Sequence, residues 1–138
     1  MTNESLAKSY VKKAGDRLKV LDLLVREGAY SDVVREAQEL VELALKGMLR
    51  AVGIEPPKLH DVGGLLLDHA QRFPPEVRGQ LEALAAISKR LRKERELAFY
   101  GDVDFIPTEE YSLKDAERAR QEAETVLAAA QKVVKAAR

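Results

Sequence analysis

Five side chains between residues 60 and 100 are of types that handle phosphate or protons. Arg92 and Arg95 carry guanidinium groups, whose forked donors match the oxygens of a phosphate. Lys89 adds a mobile point charge, and Tyr100 ends the same stretch beside Gly101 and Asp102. His60 lies upstream in PPKLHD, where an imidazole serves as an acid/base or RNA-contacting group, or as a loop-packing cap. Other chemistries are excluded. The chain has no cysteine, so no disulfide, thiolate metal site or cysteine nucleophile exists. Neither HExxH nor a Gly-rich phosphate loop is present, and His60 and His69 do not form a metal spacing. No metal and no cofactor are expected.

These groups need a scaffold, and the spacing of apolar residues supplies one. Apolar steps of three and four predict a helix from about Asn3 to Arg26 and a second from about Asp32 to Val52. Ser31 is the expected N-cap of the second helix and Gly53 its C-terminal stop. Its apolar face runs from Val33 to Val52 and is broad, so this helix is expected to be the most buried. A short third helix is expected over about Asp61–Gln71, capped by Asp61. A fourth is expected from Pro75 to about Tyr100, and a fifth starting after Ser112 and reaching the C-terminus, with Ala116, Ala123, Leu127, Ala130, Val134 and Ala137 inward. No segment alternates with period two. The fold class is therefore all-α: an antiparallel up-and-down four-helix bundle with one additional short helix, in a single domain over residues 1–138.

The fourth helix sets the candidate site. At roughly 100° per residue, Val77, Leu81, Leu84, Leu91 and Ala98 share one face. Ser88 and Arg95 fall inside that stripe, and Arg92 lies at its edge. The face begins apolar and ends with a guanidinium where a leucine is expected. A buried arginine must be paired or must face a polar cleft. Two readings follow: a solvated charged face with Arg95 paired to Glu39 or Glu42, or an anion site.

The charge balance is even, with 23 Lys+Arg against 23 Asp+Glu. That excludes an overall basic coat for nucleic acid but leaves room for a local patch. Aromatic residues make up 5%, with no Trp, so a base-stacking platform is not expected. The longest purely apolar runs, Ala83–Ile87 and Val126–Ala130, are far too short to span a membrane. The N-terminus lacks a basic-then-apolar signal peptide, so no membrane contact and a cytoplasmic location are expected.

Three segments resemble the HEPN domain family, small helical proteins of prokaryotic toxin–antitoxin and RNA-processing systems. They are AQELVELALKGML in the second helix, GIEPPKLHDVGGLL after it, and RLRKERELAFYGD followed by YSLKDAERA. The resemblance implies an up-and-down bundle that dimerises. In ribonuclease members an arginine is followed after four to six residues by a histidine at the dimer cleft. That histidine handles a proton of the 2′-hydroxyl attack, and the arginine steadies the phosphate. Here the arginine carries over to Arg92 or Arg95, but the window for the histidine contains none. Ala98 or Tyr100 stands in its place, and tyrosine, with a pKa near 10, is a poor base at neutral pH. If Ala98 holds the histidine's place, Tyr100 matches a tyrosine that some antitoxins of this family modify.

The resulting expectation is a homodimeric protein that binds RNA or a nucleotide phosphate. Its cleft would be lined by Arg92, Arg95 and Tyr100, with Lys89 and His60 as further contacts. A minimal nucleotidyltransferase would be its genetic partner. The alternatives are a metal-independent endoribonuclease using Arg95 with Tyr100 or His60, and a structural module in which Arg95 closes a salt bridge across the dimer.

Overall fold

A computed structural model describes residues 3–56, 58 and 62–137. Candidate cap Asp61 and candidate site residue His60 lie outside the described residues. The regular elements among those described are helical: α1 (Asn3–Arg26), α2 (Tyr30–Ala51), α3 (Val62–Asp68), α4 (Pro75–Arg78), α5 (Leu81–Phe99), α6 (Pro107–Glu110) and α7 (Leu113–Ala136). A 3-10 turn at Ala70–Arg72 links α3 to α4. There are thus three short helices where one was expected.

The core is organised around α2. Leu40, Leu45, Met48 and Leu49 are fully buried, together with Val33, Ala37 and Ala44. Each fully buried Leu or Met contributes about 1.5–3 kcal/mol relative to exposure. Helices α1, α5 and α7 all pack extensively on α2, and α1 also packs on α7. By contrast α5 meets α7 only slightly, and no substantial contact joins α5 to α1. Helix α3 lies on α5 instead, through Gly63: a Cβ there would sit 3.0 Å from Ala85 Cα.

The termini follow local chemistry. Gly53 N–H donates to Arg50 O at 3.0 Å and Ile54 N–H to Leu49 O at 2.9 Å, closing α2 as its sequence predicts. At the start of α7, Asp115 N–H donates to Ser112 Oγ at 3.3 Å and Ser112 N–H to Asp115 Oδ2 at 2.9 Å. This reciprocal cap satisfies two backbone donors that the helix itself leaves unmet.

Two expected boundaries are corrected. Ser31 does not cap α2: the helix starts at Tyr30 after Ala29, and Ser31 is buried in its first turn. The single helix expected from Pro75 is broken at Gly79–Gln80 into α4 and α5. Gly79 is a weak helix former. Arg78 also reaches back, donating to Phe73 O at 2.9 Å and Gln71 O at 3.1 Å, which holds α4 against the preceding turn.

An ionic cluster ties α5 to α7. Arg90 pairs with Glu94 at 3.3 Å and with Glu122 across the helix boundary. Burial pulls the Arg90 pKa below its ordinary value, and nearby Arg118 adds to this, while Glu94 and Asp115 oppose it. Tyr111 Oη–H donates to Glu94 Oε1 at 3.2 Å.

Two predictions follow. Gly63→Val should destabilise the chain by about 1–3 kcal/mol through overpacking against Ala85, read by urea unfolding; an unchanged midpoint would show that α3 can lift at no cost. The second concerns alkali. Burial first, then the charge and hydrogen bond of Glu94, raise the Tyr111 pKa above the ordinary value of about 10. The folded chain therefore holds this proton more tightly than the unfolded one. That contribution is intact below about pH 10 and is lost as pH climbs through the folded value. Tyr111→Phe should flatten the fall of stability above about pH 10; an unchanged alkaline slope would contradict the assignment.

Candidate functional site

Because α1 and α5 both lean on α2 with no substantial contact between them, the remaining side of α2 is the floor of a groove. That side carries Asp32, the adjacent Arg35 and Glu36, then Glu39, Glu42 and Lys46 at further steps of three and four residues. Three adjoining cavities run along it. One of about 520 Å³ lies between α2 and α5, lined by Gln38, Glu42, Lys58, Arg92, Lys93, Arg95 and Glu96. A second of about 480 Å³ shares Glu42 and Arg95 and adds Lys13 and Arg17 of α1. A third of about 410 Å³ shares Arg17 and Arg35 with the second and ends at Phe99.

Arg95 stands where the first two cavities meet. Its Nη2 lies 3.2 Å from Glu39 Oε1. The side chain is 47% exposed, so the buried arginine expected from the helical stripe is instead half-open to the groove. The direction was legible, but among the described residues no helix covers α5 on that side. A pair this exposed is worth about 0–1 kcal/mol, so it orients the guanidinium more than it holds the fold. Glu39 Oε1 also faces Arg35 Nη2 at 3.9 Å, and the Arg35 guanidinium sits 4.1 Å from the Phe99 ring centre. The Tyr100 ring meets Phe99 edge-on at 4.8 Å.

The structure brings Arg92 and Arg95 to one cavity and adds Lys58 and Lys93. There, four cationic side chains face two carboxylates, Glu42 and Glu96. Such a cavity attracts an anion that can also satisfy acceptors on its wall. Tyr100 does not line it: it is 76% exposed beyond the end of α5. The chain turns away there through Gly101, at φ 66°, whose Cβ would fall 2.3 Å from Phe105 O. Lys89 is exposed on α5 and lines none of the three cavities. A pairing of Arg95 with Tyr100 as the proton acceptor therefore has no shared cavity. Among the described residues no three His, Asp or Glu side chains cluster as metal ligands, and no helix is long and apolar enough to cross a membrane.

Sequence reasoning missed Gln38, Arg35 and Phe99. Gln38 had a visible signal: it stands four residues after Val34 and three before Val41, a polar residue inside the apolar arc of α2. Arg35 precedes Glu39 by one helical turn, a spacing that pairs opposite charges. A larger cavity of about 600 Å³ lies elsewhere, beside Phe73 and Val133. Its arginines are committed to backbone: Arg72 donates to Val52 O at 3.3 Å, and Arg78 holds the carbonyls named above.

Comparison with known proteins agrees with the three resembling segments. A Methanocaldococcus jannaschii protein named "Putative toxin MJ1304" is 30% identical over 132 residues, covering 91% of this chain and 86% of that protein. No solved structure matches the chain. The pattern that defines the HEPN domain matches residues 7–137, and the chain accordingly belongs to the HEPN domain family.

Proposed function

We propose that this protein is a HEPN-family binder of RNA or of a nucleotide phosphate, acting as one half of a toxin–antitoxin-like pair. The observation that carries the reading is the cavity between α2 and α5, where Arg92, Lys93, Lys58 and a Glu39-held Arg95 converge. An exposed guanidinium is free to swing; one steered by a carboxylate presents its remaining donors in a fixed direction. The toxin name of the archaeal relative supports the assignment to such a pair. Its partner would be a minimal nucleotidyltransferase, and its location the cytoplasm.

The working unit in this proposal is a homodimer of antiparallel four-helix bundles. The exposed Leu97, Phe99, Tyr100, Val103 and Ile106 supply an apolar surface at the end of α5 and the loop after it, next to the groove. A second copy would cover that surface and close the groove. Light scattering should give twice the chain mass at micromolar concentration; a monomer would overturn this part of the proposal.

The binding reading is tested with short single-stranded RNA and an Arg92→Ala/Arg95→Ala double variant. Charge-assisted hydrogen bonds contribute about 1.5–3 kcal/mol each, so the double variant should bind at least tenfold more weakly. Each phosphate contact on a single strand adds about 0.7 to the slope of log affinity against log salt. Losing two should reduce that slope by about 1.4. Equal, weak binding by both proteins would remove the cavity as the site. Cleavage of the RNA in EDTA, dependent on Arg95, would replace this reading with an endoribonuclease.

A further inference from the structure

Gln38 does not belong to the charged side of α2. It sits on the apolar arc and is 3% exposed, yet among the described residues its Oε1 has no hydrogen-bond partner. Leaving a buried acceptor unsatisfied costs about 1–3 kcal/mol, and nearly all such groups in folded chains are satisfied. A methionine would fill similar space without that cost. The same side chain lines the cavity that holds Arg92 and Arg95. Its terminal amide torsion is soft, so Oε1 can turn to meet a donor that enters there.

We infer that Gln38 is the residue that recognises a ribose hydroxyl on the occupant of this cavity; the inference rests on the phosphate-binding reading above. The wall carries two kinds of demand. Arg92, Arg95, Lys58 and Lys93 call for an anion. Gln38, Glu42 and Glu96 are acceptors and call for donors. A ribonucleotide unit meets both, because its 2′-hydroxyl donates a hydrogen bond within the same sugar–phosphate unit. A deoxyribonucleotide lacks that donor, and the 2′-hydroxyl is the group by which proteins tell RNA from DNA. Among the described residues no lining side chain is aromatic, so the described wall offers its contacts to sugar and phosphate. The volume, about 520 Å³, lies within the usual size of small-ligand sites.

The test compares three strands of one sequence, as RNA, as 2′-fluoro RNA and as DNA, titrated into the full-length chain and into Gln38→Met. The 2′-fluoro sugar keeps an electronegative atom at the 2′ position but cannot donate. The unaltered chain should bind RNA about two- to tenfold more tightly than either other strand, the range of one hydrogen bond. Gln38→Met should bind all three alike, with a melting temperature equal to or above that of the unaltered chain. Equal binding of RNA and 2′-fluoro RNA by the unaltered chain overturns the inference. So does an RNA preference that survives in Gln38→Met, or a variant that melts lower or fails to fold, which would assign Gln38 to packing. Failure of both RNA and DNA to bind strikes the phosphate reading and takes the inference with it. Repeating the comparison with AMP and dAMP separates the sources. The same ratio with mononucleotides identifies a free nucleotide, a ratio confined to the longer ligands identifies a strand, and both carry the ribose contact.

Discussion

The architecture depends on the burial of one helix. Three of the four long helices are amphipathic partners; α2 is the surface they share, and its buried Leu, Met and Val side chains are the common core. A helix flanked by three neighbours has one side left over. On α2 that side is a mixed-charge row from Asp32 to Lys46, predominantly acidic, and the distance between α1 and α5 leaves it open. The groove is thus a consequence of how the hydrophobic area is shared out. Nothing has to be carved from the core to make it.

The charges of α5 are divided by direction. Arg90 turns to α7, where Glu122 meets it, and is held from its own helix by Glu94, with Tyr111 completing the set. Arg95 turns to α2 and is held by Glu39. Arg92 and Lys93 line the cavity between these anchors, while Lys89 faces outward. A stretch that reads as one basic run therefore does three things. Two of its arginines fix the helix or point a donor, and Arg92 and Lys93 line the cavity proposed to take an anion. Solvent screening makes the outward charge nearly irrelevant to stability, whereas the α5–α7 cluster is half-buried and coupled to packing.

Most of the helical plan was legible, because amphipathic periodicity and end signals are local. Helix α1 begins and ends where its apolar stripe does, and the Ser112 cap and the Gly53 stop act as their residue types predict. What failed depends on neighbours. Ser31 is a fitting cap by type, but the Gly28 turn delivers the chain into the helix two residues too early for it. The break at Gly79 needs the Arg78 side chain to find two carbonyls, which no periodicity reveals. Arg95 was placed on the right face, yet rotation gives an angle and not a neighbour, so its half-open state was hidden. Tyr100 was grouped with the arginines by proximity in sequence, whereas the chain reversal at Gly101 leaves it outside their cavity. Gln38 was legible and overlooked, since its polarity in an apolar row is visible without coordinates.

The order in which the shared helix receives its partners also matters during synthesis. Helix α1 precedes α2 directly and can pack on it as a local hairpin while the ribosome is still translating. The arc of α2 meant for α7 has no such early partner, because α7 follows the other described helices in chain order. At about 5–20 residues per second, that apolar strip stays uncovered on the nascent chain for roughly five to fifteen seconds. The nascent protein therefore offers this strip to chaperones and to aggregation in the interval before α7 emerges.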